Sequence, residues 1–261
     1  MPKFQTKHIC VVGSGAGAGP IILRLSQAGH RITVLEKGPW IKTKDYTKDE
    51  MTACRKDSYS PKLEDEFHVL RYKNDKGDWI EKTTTSSGRS YWNGTVVGGA
   101  TNFMSAYFHR LKPVDFKLLS TFGPIEGANI VDWPIRYEDL EPFYAEVENE
   151  VGISGKVIDH KHLEPRSTKD FPFPPLGENI VAKWLDDASK KMGAELIPIP
   201  RGILSKPKDQ RKACFYSGYC GSYGCASDAK GSSRVALLET AIETGNCTII
   251  PNAKVYRLES D

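Results

Sequence analysis

The sequence predicts an α/β fold organised around parallel strands, and three observations carry that expectation. Residues 7–12 (KHICVV) are a short β-branched run ending in glycines; residues 15–29 carry a helical apolar period; residues 31–36 (RITVLE) form a second apolar run. Strand, glycine-rich turn, helix and strand in about 30 residues make a βαβ unit, whose parallel strands need a right-handed crossover.

The elements follow from local chemistry. Within 15–29, Ile21, Ile22, Leu25 and Ala28 recur at helical spacing, Pro20 falls in the first turn and Gly29 follows the end. Residues 37–87 are charged and weakly periodic, which predicts an excursion of loop. Residues 88–107 are rich in Gly, Ser, Thr and Asn. Residues 137–151 read as a helix with Leu140, Phe143, Tyr144, Val147 and Val151 on one face and a break near Pro142. Residues 164–176 are a proline-rich loop. Residues 179–192 predict a helix with Ile180, Val181, Trp184, Leu185, Ala188 and Met192 inward and Gly193 at its end. Residues 206–230 are a loop, 232–244 a helix, and 247–250 and 254–259 strands.

Composition narrows the function. Among 261 residues, 39% are apolar and 26% charged, and the net charge is +3. These are ordinary globular values, and they exclude a disordered, collagenous or coiled-coil chain. The cations are scattered with no basic 5–8-mer, so nucleic acid is not expected as a partner. No run of about 18 apolar residues is present. No apolar stretch precedes the first strand, so no signal peptide is expected; a periplasmic, membrane-associated site would then require pairing with another exported subunit.

The segment Gly13-Ser14-Gly15-Ala16-Gly17-Ala18-Gly19 sits between the first strand and the helix. The pattern G-x-G-x-x-G/A falls on Gly13, Gly15 and Ala18. The first glycine makes a tight turn, the second lets backbone approach a pyrophosphate, and the third small residue lets helix and strand pack. The helix N-terminus adds N–H groups and positive dipole. Glu36 ends the second strand, where its carboxylate is placed to accept both ribose hydroxyls. Together these predict a dinucleotide site; the pattern alone does not separate FAD from NAD.

Four blocks carry a family resemblance: VVGSGAGAGPIILRLSQAGHRITVLEKG (11–38), VVGGATNFMSAYFHRLKPVDF (96–116), DWPIRYEDLEPFYAEVENEVGISG (132–155) and ACFYSGYCGSYGCASDAKGSSRVALLETAIETGNCTIIPNAKVYRLES (213–260). The sequence resembles the glucose–methanol–choline (GMC) flavoprotein oxidoreductases, with the last block most like bacterial gluconate and sugar dehydrogenase large subunits. The resemblance implies FAD. It also implies that Val97, Gly98, Thr101 and Asn102 line the flavin, with Thr and Asn donating to the ring, and that Val255 holds the adenine through its backbone. Some members tether FAD through a histidine two residues after the Thr; Phe103 stands there, so non-covalent FAD is expected.

Of six cysteines, Cys214, Cys220 and Cys225 cluster in a loop with Gly218, Gly221 and Gly224. Three thiolates suit a [3Fe–4S] cluster, and Ser217 occupies the fourth position a [4Fe–4S] cluster would use. Zinc with an outside ligand, or thiols packed in a loop with or without one disulfide, are the alternatives. Within the resemblance, such a cluster passes flavin electrons to a cytochrome. His160-x-His162 reads as solvated surface.

The domain expectation is a Rossmann-like FAD-binding domain of GMC type, incomplete, over 1–38, 88–116 and 206–261. Residues 39–87 and 117–205 are excursions and part of a substrate or cap region. Family members run to about twice this length and keep the proton-accepting His, paired with His or Asn, in their C-terminal half. The chain is therefore expected to be truncated relative to them: an N-terminal half, as a fragment, a split-gene subunit or an artificially shortened chain, needing a C-terminal partner. The expected activity is oxidation of the CH–OH group of an alcohol, sugar or sugar acid, with hydride to flavin N5. The alternative is a non-catalytic FAD-binding or electron-relay piece.

Overall fold

The computed structural model describes residues 7–46, 49, 69–83, 94–160 and 163–259. Cys54, His68, His162 and the first part of the glycine-rich stretch at 88–107 lie outside them. In chain order the elements are β1 (His8–Val12), α1 (Ala18–Gln27), β2 (Arg31–Leu35), β3 (Val69–Lys73), β4 (Trp79–Thr83), α2 (Leu118–Phe122), α3 (Tyr137–Val151), α4 (Ile180–Lys191), α5 (Glu239–Glu243) and β5 (Cys247–Ile250). A 3₁₀ turn spans Gly99–Phe103, and a wide π-type turn, Arg234–Leu238, leads into α5. None of the described helices is long and apolar enough to cross a membrane.

The chain divides into two units. The first is Met1–Ser105, Tyr216–Asp228 and Ser232–Asp261; the second is Ala106–Phe215 and Ala229–Gly231.

The first unit holds a parallel sheet of order β1-β2-β5, with His8 opposite Arg31 and Ile32 opposite Cys247. The β-branched runs seen in the sequence are these strands, and Ile32 and Val34 of the central strand are fully buried. The predicted strand at 254–259 does not form. After β5 the chain instead folds back on the end of β2, Asn252 N–H donating to Gly38 O (3.0 Å) and Ala253 N–H to Glu36 O (2.8 Å). Helix α1 starts at Ala18, three residues after the expected start. Its buried face is Gly19, Ile22, Leu23 and Ser26, and Ile21 is exposed. Gly19 decides that face. A Cβ there would lie 2.4 Å from Ser233 Oγ and 2.9 Å from Leu237 Cδ1, so only glycine lets the π-type turn pack against α1. Ile22, Leu23, Val97, Leu237 and Leu238 close the core over β2, each buried side chain contributing about 1.5–3 kcal/mol.

The excursion after β2 contains an antiparallel hairpin that the sequence reading took as loop. Strands β3 and β4 pair from Val69–Thr83 to Lys73–Trp79. Asn74 Oδ1 accepts from the N–H groups of Lys76 and Asp78, and Gly77 takes φ +85° to close the turn. Both faces of the hairpin are largely solvated, so no apolar alternation marked it.

The second unit is built on α3. The helix runs through Pro142 without a break, costing one bond to the carbonyl four residues back. Both sides of that point are tied to Arg110. Its guanidinium donates to Glu141 (2.9 Å), to Tyr137 Oη (3.1 Å) and to both oxygens of Glu148 (2.8 and 2.9 Å). Arg166 also pairs with Glu148 and lies 4.0 Å over the ring of Phe171. Burial works against the Arg110 charge, but these bonds outweigh it and hold its pKa above the ordinary value. Burial likewise opposes ionised Glu141, yet the bonds from Ser167 and Arg110 bring its pKa down to about 2. Val151 of the expected face is buried, whereas Phe143 is exposed; Tyr137 and Glu148, outside that face, are buried as well. Helix α4 has its Asn179 cap, the side chain accepting from Ala182 N–H at 2.9 Å. Its expected inward residues Ile180, Val181, Trp184, Leu185 and Met192 are all exposed, and α4 buries none of its residues.

Candidate cofactor site

The site in the first unit is two glycine-bearing segments locked together through one serine. Gly13, at φ +87°, carries the chain off β1 while its N–H donates to Leu35 O at 2.9 Å. Ser14 is fully buried. Its N–H and Oγ both donate to Glu36 Oε2, at 3.0 and 2.6 Å, and its Oγ accepts from Gly98 N–H at 3.0 Å. Glu36 Oε1 accepts from Gly38 N–H at 2.9 Å. Gly98 is left-handed, at φ +88°, and its Cα faces Arg234 and Asn102 closely enough that a Cβ would sit 2.9 Å from each. Gly99 also approaches the dinucleotide loop: a Cβ on it would lie 3.2 Å from Gly15 Cα.

The outer side of the loop is different. A Cβ built on Gly13, Gly15 or Gly17 meets no described atom within 4 Å. Packing inside the chain therefore does not require glycine at these places, whereas it does at Gly19 and Gly98. Open glycines at the start of a ten-residue helix, whose first N–H groups have no partner within the helix, form a cradle suited to a phosphate. Ala16 and Ala18 continue the loop into α1. These residues fit a dinucleotide pyrophosphate.

Several expected roles change. Glu36 is buried and spends three of its roughly four acceptor positions on Ser14 and Gly38. One position is left for a ribose hydroxyl, not the two hydroxyls expected. Thr101 Oγ1 donates to Gly98 O at 2.5 Å, and Asn102 Nδ2 donates to Val97 O at 3.0 Å and Gly99 O at 2.9 Å. These donors hold the second segment in shape. Phe103 is buried against Tyr46, rings edge to face at 6.4 Å. Val255 is half-buried, two residues beyond the Ala253–Glu36 bond.

The three cysteines are not assembled into a metal site. Cys214 belongs to the second unit, its N–H donating to Leu204 O at 2.9 Å; Cys220 and Cys225 belong to the first. Cys220 is exposed, and Cys225 Sγ lies 3.6 Å from Ser227 Oγ. Among the described residues, no group of three or more Cys, His, Asp or Glu side chains could hold a metal ion. The structure thus gives no support to an iron–sulfur cluster, and no electron step is routed through one.

Sequence reasoning missed Ser233, Arg234 and Tyr46. Ser233 touches both segments, its N–H on Thr101 and its hydroxyl on Ser14. Arg234 donates to Asp228 (2.8 Å), Glu239 (2.6 Å) and Thr43 (3.2 Å), fastening the residues after β2 to the π-type turn. Tyr46 Oη donates to Asn102 Oδ1 at 3.3 Å. No local pattern announces contacts across 56 to 219 residues.

The chain is 32% identical over 217 residues to 2-methyl-1,2-propanediol dehydrogenase of Mycolicibacterium austroafricanum, covering 80% of this chain and 36% of that one. That protein is a GMC-type flavoprotein oxidoreductase, and the chain is similar to this family. Other GMC relatives are the fructose dehydrogenase large subunit of Gluconobacter japonicus (32% over 171 residues, 63% of this chain and 29% of that one) and the gluconate 2-dehydrogenase flavoprotein of Pantoea cypripedii (26% over 277 residues, 95% and 44%). The chain thus spans well under half the length of these GMC relatives. No protein-family model matches it. The backbone also aligns with pyridoxine 4-oxidase at a TM-score of 0.48 and 16% identity, over 98% of this chain and 44% of that chain.

Proposed function

We propose that this chain binds FAD without a covalent link and contributes the dinucleotide-binding part of an oxidoreductase acting on the CH–OH group of an alcohol, sugar or sugar acid. The observation that carries the reading is the loop 13–18, held from beneath through Ser14 while its glycines stay open above. The dehydrogenase names of the GMC relatives support the reaction class.

When bound, FAD supplies the hydride acceptor. The chain's own residues bind and orient it. Gly13, Gly15, Gly17 and the start of α1 meet the pyrophosphate. Glu36 offers its remaining acceptor position to one ribose hydroxyl and, being anionic, disfavours a 2′-phosphate. Val97 and Gly98 would line the ring through apolar side chain and backbone, and Val255 would hold the adenine through its backbone. Removal of the substrate's hydroxyl proton is left to groups other than these. The electron acceptor lies outside the chain.

A second reading makes the chain a flavin-holding piece that acts only with a complementary polypeptide. The exposed apolar residues of α4 favour it, and the relative described as a large subunit supports a partner chain.

The test is release of the flavin. Purified protein precipitated by acid or heat should give a yellow supernatant containing intact FAD. Colour remaining with the precipitated polypeptide would overturn the non-covalent reading. A colourless protein that takes up no added FAD would overturn the reading altogether.

A further inference from the structure

We infer that Ser233 is a positioning residue that bolts the two glycine-bearing segments together and turns the N–H groups of the dinucleotide loop outward. The inference rests on the FAD reading for its ligand, and on this chain's own bonds for its geometry. Ser233 Oγ lies 3.0 Å from Ser14 O and 3.2 Å from Gly15 O, so one hydroxyl donates to two consecutive carbonyls. Ser233 N–H donates to Thr101 Oγ1 at 2.9 Å, and that same oxygen donates to Gly98 O. One buried residue at the entry of the π-type turn therefore grips the loop at 14–15 with its side chain and the segment at 98–101 with its backbone.

The consequence follows from peptide geometry. In a planar trans peptide the C=O and the next N–H point in opposite directions. Drawing the Ser14 and Gly15 carbonyls toward Ser233 aims the N–H groups of Gly15 and Ala16 the other way, toward the side where a Cβ on Gly15 meets no described atom. Those are the donors a pyrophosphate needs. Without the hydroxyl the two peptides lose their anchor on the inner side, and a flip of either one would present a carbonyl, which repels phosphate. Gly19 is part of the same device, since a Cβ on it would strike Ser233 Oγ.

The test is Ser233→Ala in the full chain, with two readouts. In flavin-free protein, amide exchange at Gly19, whose N–H donates to the Gly15 carbonyl, and at Ser14 should speed about tenfold, the factor one ordinary hydrogen bond is worth. Exchange in β2 should not change. In the FAD titration, affinity should fall about tenfold while the thermal midpoint of the flavin-free chain stays close to wild type. Unchanged exchange at Gly19 and Ser14 overturns the inference, as does faster exchange with undiminished FAD affinity. If wild-type protein itself takes no FAD, the FAD reading fails, and the exchange readout still decides whether Ser233 clamps the loop. Should Ser233→Ala fail to fold, Thr101→Val removes the other end of the bridge. It should speed exchange of the Ser233 amide and weaken FAD in the same way; no change in either overturns the inference.

Discussion

Gly15→Val is expected to abolish flavin binding while leaving the fold intact. Gly15 is not in the left-handed region, and a Cβ there meets no described atom within 4 Å. The flavin-free variant should melt within about 4 °C of wild type, the shift about 1 kcal/mol would give in a chain of this size. The isopropyl group stands where the pyrophosphate must come against the backbone, so bound FAD should fall below detection in the purified variant's visible spectrum. Undiminished flavin content would place the pyrophosphate elsewhere. A variant that loses both flavin and fold would show the position to be packed from within, contrary to the geometry.

Arg110→Ala should be the most destabilising single change in the second unit. Arg110 and Glu148 side chains are 2% and 3% exposed. Removing the arginine takes three of the bonds that satisfy Glu148 and Glu141 and leaves buried Glu148 with Arg166 as its cationic partner, so the loss should lie near the lower end of the about 3–5 kcal/mol usual for a broken buried pair. Thermal or urea unfolding of this unit measures it. The same network gives a pH signature. Glu141 has its pKa lowered to about 2, so its contribution is fully present above its unfolded value near 4.5 and is lost as pH falls toward 2. In Arg110→Ala much of that acid-limb slope should vanish. A variant as stable as wild type, with the same acid limb, would mean the charges are not coupled as the distances indicate.

The first unit was legible because its signals are local. The glycine spacing, the helical period after it and the acid ending RITVLE all lie within residues 7–36, and β1, α1 and β2 appear there. The rest of the site depends on contacts that no window of sequence contains. Ser14 joins Gly98, and Ser233 joins Ser14. Once those bonds exist, Glu36, Thr101 and Asn102 also hold the two segments in shape. The helix period of 180–191 identified an apolar face correctly but could not say what covers it; α4 leaves that face exposed. The β3–β4 hairpin was invisible for the converse reason, since its strands bury almost nothing. The cysteine spacing suggests a metal site, but among the described residues no group of three such side chains could hold a metal ion.

The central claim is that the loop 13–18 binds a flavin dinucleotide through its pyrophosphate. Calorimetric titration of flavin-free protein with FAD, and separately with riboflavin, tests it most directly. The account predicts one FAD per chain, bound far more tightly than riboflavin, which carries the same ring system but no phosphate. Equal affinity for the two would mean that the ring alone is recognised, and absence of FAD binding would contradict the account outright.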